Sequence, residues 1–199
     1  PLKVAFLGPE GTFTQSAALK HFGHSITTLP VNAISDLFQE VEAGSSHYGV
    51  VPVENSTEGV ISHTLDMFFN SPLQICGEVT LRIHHNLLSL GQSLESVQRV
   101  YSHQQSLAQC RSWLDRHLPD AERISVGSNA EAAKMARDDP DSAAIAGETA
   151  GEIYQLVVLA HNIEDEQGNT TRFLIIGNQM VPPSGDDKTS LLISTKNEA

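Results

Sequence analysis

Gly168-Asn169-Thr170-Thr171-Arg172-Phe173-Leu174-Ile175-Ile176-Gly177 is the stretch on which the reading of the whole chain turns. Arg172–Gly177 reads as a strongly apolar strand, and Glu164–Thr171 before it as a polar, turn-like lead-in. That strand comes late, after two separate runs of alternating strands and helices. If it pairs back into the first sheet, the chain crosses between two lobes twice. This is the topology of two-lobed binding-protein folds, in which a ligand sits in the cleft.

The runs upstream set up that expectation. Lys3–Leu7, Ile26–Leu29 and Tyr48–Val53 read as strands, and Gln15–Phe22, Ile34–Ala43 and Val60–Phe69 as the helices between and after them. Such a βαβαβα rhythm predicts a parallel sheet covered on both faces. Gln74–Ile83 is a long strand leading away from it. A second α/β rhythm follows, with strands His85–Leu90, Arg99–Tyr101, Arg123–Val126, Ala143–Ala146 and Val157–Ala160, and helices Leu107–Leu118 and Ala130–Arg137. The expected division is residues 1–82 with 165–181 as one lobe and 83–164 as the other. Residues 182–187, Pro-Pro-Ser-Gly-Asp-Asp, read as a linker. Lys188–Ser194 reads as a lone strand, the start of a further unit at 188–199, so a truncated chain is expected.

At 199 residues, 40% hydrophobic and 18% charged, the chain can bury a sizeable core and reads as soluble. No apolar run is long enough for a membrane span, and the start at Pro1-Leu2-Lys3-Val4 lacks the build of a signal peptide. Cys76 and Cys110 cannot form a disulfide framework and read as reduced, buried thiols of a cytoplasmic protein. The net charge of −12, with only 12 Lys and Arg and no basic run, argues against nucleic acid. An anionic ligand would be repelled by that overall charge, so its attraction must be local, from backbone N–H groups at helix starts.

Three motifs sit where strands give way to loops. Gly8-Pro9-Glu10-Gly11-Thr12-Phe13 is a βα turn, with Thr14 as the expected cap. It is not a dinucleotide fingerprint. Glu54-Asn55-Ser56-Thr57-Glu58-Gly59 ends the third strand, and Asn55 and Ser56 at a helix start suit a carboxylate. Ser56 is expected to bond the Gly59 amide. Ser102, with Gln105 and Gln109 on one helical face beyond it, forms a second candidate cradle. Ser128-Asn129-Ala130-Glu131 reads as a plain helix cap. The nine histidines have no metal-binding spacing, and there is no GxSxG elbow.

In this order and separation, the Gly8–Phe13 loop, the Glu54–Gly59 segment and Thr171-Arg172-Phe173 resemble the prephenate dehydratase family, from about Leu2 to the chain's end. The resemblance implies a lyase that needs no cofactor or metal and makes phenylpyruvate in phenylalanine biosynthesis. It implies Thr171 as the catalytic hydroxyl, and Thr12, Phe13, Asn55, Ser56, Ser102, Gln109 and Phe173 as substrate-binding residues. Gln104 stands where the family usually has proline. Arg172, pointing opposite to Thr171 along a strand, is expected to be structural. The resemblance further implies a homodimer, a phenylalanine-binding ACT domain beginning near Lys188, and in some members an upstream chorismate mutase. Arogenate dehydration and a non-catalytic two-lobed anion binder are the alternatives.

Overall fold

Ile34, Leu37, Phe38 and Val41 fall on one helical stripe, and all four are buried against a sheet. That packing recurs throughout the computed structural model, which describes residues 1–91, 93–191 and 193. The first lobe holds β1 (Lys3–Leu7), α1 (Phe13–Phe22), β2 (Thr27–Val31), α2 (Ile34–Glu42), β3 (Tyr48–Asn55), β4 (Gly59–Val60), α3 (Ser62–Met67) and β5 (Gln74–Arg82). The second holds β6 (Asn86–Ser89), a short 3-10 turn at Leu94–Ser96, β7 (Arg99–His103), α4 (Gln104–Gln109), α5 (Arg111–His117), β8 (Glu122–Val126), α6 (Asn129–Arg137), β9 (Ser142–Ala146), α7 (Glu148–Tyr154) and β10 (Val157–Ala160). The chain then returns as β11 (Thr170–Gly177).

β11 inserts between β3 and β5, so the first sheet runs β2-β1-β3-β11-β5, with β4 hairpinned onto β3. The second runs β10-β6-β9-β7-β8. The chain therefore crosses twice, after β5 and before β11. This is the two-lobed, periplasmic-binding-protein-like α/β arrangement. Both sheets are mixed rather than parallel: β11 is antiparallel to both its neighbours, and β6 is antiparallel to β9 and β10. A strand arriving from the other lobe enters the first sheet opposite in direction to strands made by βαβ crossovers.

Each sheet is covered on both faces. In the first, α2 and α3 close one side around Phe38 and Ile176, while α1 closes the other around Val50 and Phe173. The close fit has a specific requirement at Gly49. A Cβ there would lie 2.5 Å from Leu37 Cδ2 and 3.1 Å from both Ile176 and Val41. In the second lobe, Ala130, Ala132, Ala133 and Ala136 let α6 settle onto the sheet.

Three expected elements differ. Val60–Phe69 is not one helix. Asn55 Oδ1 accepts from the amides of Thr57 (2.9 Å) and Glu58 (3.1 Å), Gly59 takes φ +86°, and β4 folds back on β3 before a shorter helix begins. Leu107–Leu118 is two helices, because Asp165 takes the amides of Ser112 and Trp113 at 2.8 and 3.0 Å and starts α5 afresh. The helix α7 went unforeseen, since Ala150 and Gly151 give no apolar stripe. At the C-terminus, Lys188–Leu191 and Ile193 carry no regular structure, and the rest of the expected strand lies outside the described residues. No helix is long and apolar enough to cross a membrane among the described residues.

Candidate active site

Antiparallel register brings the two halves of the site together. Thr171 of β11 lies opposite Asn55 of β3, at the ends of their strands that face the second lobe. Asn55 Nδ2 donates to Thr171 Oγ1 at 2.7 Å, and both residues are buried. The same Asn55 closes the following turn with its oxygen, so its amide cannot flip without losing two bonds. The orientation of its NH₂ toward Thr171 is thereby fixed. Because the Thr171 oxygen accepts from Asn55, its own hydrogen is left to point elsewhere.

Thr171 lines a cleft of about 410 Å³ between the lobes, a size typical of small-molecule sites. From the first lobe come Thr12, Phe13, Asn55, Thr171 and Phe173. From the second come Gln105, Gln109, Asn129 and Gly147. Among the described residues no lysine or arginine lines it, and its ionisable residues are Glu58, His85 and His103. The starts of α1 and α6 reach this wall, presenting first-turn N–H groups that no preceding carbonyl serves.

Arg172 alternates to the other face of β11 and pairs with Glu54 and Glu78, each at 3.1 Å. Phe173 returns to the cleft side, fully buried. On the β3 side the register slips by one residue between Arg172 and Phe173, beside Pro52, which has no N–H to give.

Where the chain crosses between lobes, the acidic Glu164 gathers the two histidines. His84 Nδ1 lies 2.7 Å from Glu164 Oε1, and the His85 amide donates to Oε2 at 2.9 Å. Burial would raise this carboxyl, but the His85 amide and the His84 ring hold it below its ordinary range. Burial lowers the pKa of His85 itself. Its Nε2 lies 2.7 Å from Gln109 Oε1, and its ring meets Phe13 edge-on at 6.0 Å.

A family model described as prephenate dehydratase matches residues 4–181. The chain belongs to the prephenate dehydratase family. The bifunctional chorismate mutase/prephenate dehydratase of Stutzerimonas stutzeri is 58% identical across 100% of this chain and 54% of its own. The chain thus spans about half the length of that relative. A solved prephenate dehydratase from Arthrobacter aurescens, in complex with L-Phe, superposes with TM-score 0.82 at 32% identity, covering 94% of this chain and 63% of that one. A structure titled GqqA, a novel type of quorum quenching acylases, gives TM-score 0.83 at 28% identity over 92% of this chain and 67% of that one.

Within this member of the prephenate dehydratase family, the residues singled out from sequence are placed unequally. Thr12, Phe13, Asn55, Gln109, Thr171 and Phe173 line the cleft. Thr12, not Thr14, caps α1, accepting from the Gln15 amide at 3.5 Å. Ser56 is exposed and does not bond the Gly59 amide. Its hydroxyl donates to Asn169 Oδ1 at 3.2 Å and accepts from the Thr170 amide at 2.8 Å, clasping β11 to the end of β3. Ser102 is fully buried behind the cleft wall, its hydroxyl 2.9 Å from both Asn129 Oδ1 and the Ile145 carbonyl oxygen. No helix starts at Asn55–Ser56, so the carboxylate cradle expected there has no helix terminus behind it. Cys110 is buried but Cys76 is only half so; both are free thiols.

Asn129 and His85 are cleft residues that sequence reasoning did not single out. Asn129 sits in a capping pattern, and that pattern is present: Ser128 Oγ accepts from the Glu131 amide at 3.0 Å, and Glu131 accepts from the Gly127 amide at 2.9 Å. The cap also delivers Asn129 to the wall, where its amide donates to Ser106 Oγ at 2.9 Å. In the sequence His85 is one of nine histidines without metal-binding spacing. Its place directly after the strand that leaves the first lobe was the signal.

Proposed function

We propose that this chain catalyses the decarboxylating dehydration of prephenate to phenylpyruvate, in phenylalanine biosynthesis, with Thr171 as the catalytic hydroxyl. The observation that carries this reading is the 2.7 Å hydrogen bond from Asn55 to Thr171 inside the interlobe cleft. In the reaction the ring carboxylate departs as CO₂ and its bonding pair enters the ring. The opposite C–O bond breaks, and the hydroxide gains a proton to leave as water. The Thr171 hydrogen, free of Asn55, is available to that departing oxygen. Any charge that then grows on Thr171 Oγ1 meets the Asn55 N–H already aimed at it.

Two carboxylates must be held meanwhile. Helix-start amides at α1 and α6, with the Gln109 carboxamide, are the donors we assign to them, in a cleft that Phe13 and Phe173 keep apolar. Ser56 and Ser102 act behind this shell, through β11 and through Asn129. Arogenate, with an amino group in place of the side-chain keto oxygen, is the alternative substrate, and parallel assays on both compounds separate the two. Acyl transfer has less support. The bonded imidazoles face an amide, a carboxylate or backbone, and no hydroxyl–imidazole hydrogen bond occurs among the described residues.

The direct test is prephenate turnover read as phenylpyruvate absorbance in alkali. Turnover sustains the proposal; stoichiometric binding without product points instead to a binding module. We place the protein in the cytoplasm and propose a homodimer through its exposed sheet edges, β2 and β5 in the first lobe, β8 and β10 in the second. Sedimentation that finds only a species near 21.5 kDa rejects the dimer.

A further inference from the structure

His85 touches the cleft wall without an evident task of its own. It is 3% exposed, and its Nδ1 is buried with no hydrogen-bond partner among the described residues. Its Nε2 faces one group, Gln109 Oε1, at 2.7 Å. Gln109 is the last residue of α4 and lines the cleft, and its own Nε2 makes no hydrogen bond to the protein among the described residues. We propose that His85 is a positioning residue, holding the oxygen of the Gln109 carboxamide so that the NH₂ is presented to a substrate carboxylate. This rests on the prephenate reading above.

The tautomer follows from where the ring is unpaired. A neutral imidazole has one N–H and one lone pair. If Nδ1 carried the hydrogen, a buried donor would have no acceptor, whereas a bare lone pair there is the less costly orphan. The hydrogen therefore belongs on Nε2, and it meets Gln109 as a donor. Burial, which lowers the His85 pKa, keeps the ring in this neutral form although Glu164 lies close by. Gln109 must then accept with its oxygen.

This matters because a carboxamide is nearly symmetrical in shape and opposite in polarity at its two ends. Left alone, Gln109 can turn its oxygen to the cleft, where it repels a carboxylate. With the oxygen tied, only the donor end faces substrate. Gln105, one turn earlier on α4, also lines the cleft, but no such tether holds its amide among the described residues. His85 is in turn held by its backbone amide on Glu164 and by its ring edge on Phe13. His85, so held, thus fixes one donor of the cleft from behind.

The test is a double-mutant cycle on the full chain, with prephenate kinetics for wild type, His85→Leu, Gln109→Leu and the double variant. His85→Leu is expected to raise KM roughly tenfold or more, the effect of misaligning a hydrogen bond to a charge, and to change kcat much less. His85→Gln, which can still donate, is expected to recover most of the loss. In the double variant His85→Leu should add little to Gln109→Leu; a fully additive result overturns the proposal. Nitrogen-15 spectra of labelled histidine give an independent reading. A neutral Nε2–H ring supports the proposal and an Nδ1–H ring overturns it. Should His85→Leu fail to fold, His85→Gln and the spectra decide. If wild type does not turn prephenate over, the functional reading falls, while the tautomer still judges the tether.

Discussion

Thr171 and Asn55 form a donor chain whose direction can be reversed by one atom. Thr171→Ala should lower kcat by roughly 10²–10⁴-fold with little change in KM, as for a positioned acid–base group. Thr171→Ser, which keeps the oxygen, should retain much more, and Thr170→Ala should be nearly silent because Thr170 lies outside the cleft lining. Asn55→Asp is the sharper probe. The carboxylate can still close the turn to Thr57 and Glu58, but it accepts the Thr171 hydrogen instead of donating to its oxygen. Steady-state kinetics should therefore show Asn55→Asp losing kcat although the fold survives. A nearly wild-type rate would remove Thr171 from the chemistry. His85 supplies a second prediction, in stability. Burial lowers the pKa of both His85 and His21 below the ordinary 6.5, so the unfolded chain takes up protons that the native one refuses. Stability is then complete above about pH 6.5 and falls as pH drops below it. At the acid end Asp139, held at about 2 by its hydrogen bond to Arg99, adds a further loss below its ordinary 3.8. Urea midpoints measured across this range should decline, with His85→Gln giving a shallower slope. The threonine and asparagine were legible in the sequence because they close recognisable segments. The histidine was not, since its partner lies 24 residues away and only the folded register brings them together.

Among the elements, the strands read well and the helices unevenly. β1, β3 and β11 announce themselves as apolar runs, and α2 by its four-residue stripe. The breaks do not. The split between α4 and α5 is imposed by Asp165, a residue more than fifty positions downstream of the amides it caps, and no local window contains that information. The hairpin at β4 was hidden because Asn55 serves equally well as a helix cap or a turn residue. The β3–α2 contact gives an element-scale prediction. Gly49→Ala places a methyl against Leu37, Val41 and Ile176, all in the sheet–helix interface, and should destabilise by about 1–3 kcal/mol. Urea unfolding with an unchanged m-value would carry that result, and a wild-type midpoint would mean that α2 moves aside freely.

For the whole molecule, a net charge of −12 is set against a cleft lined, among the described residues, by no lysine or arginine. If oriented amides supply the local attraction, added salt screens a repulsive background as much as it screens the site. The expected kcat/KM is flat or rises at moderate ionic strength, and a steep fall would require a basic funnel that the cleft lining does not contain. The place of β11 carries a consequence for how the molecule comes into being. Synthesis runs from the N-terminus, yet among the described residues the strand that joins β3 to β5 and bears Thr171 is the last of eleven to be made. Until it emerges, two strands of the first sheet have open edges facing each other, and Asn55 has nothing to aim at. A nascent chain short of Thr170 can have its second lobe finished while its first remains unzipped, so competence arrives late and all at once, with the closing of a single gap.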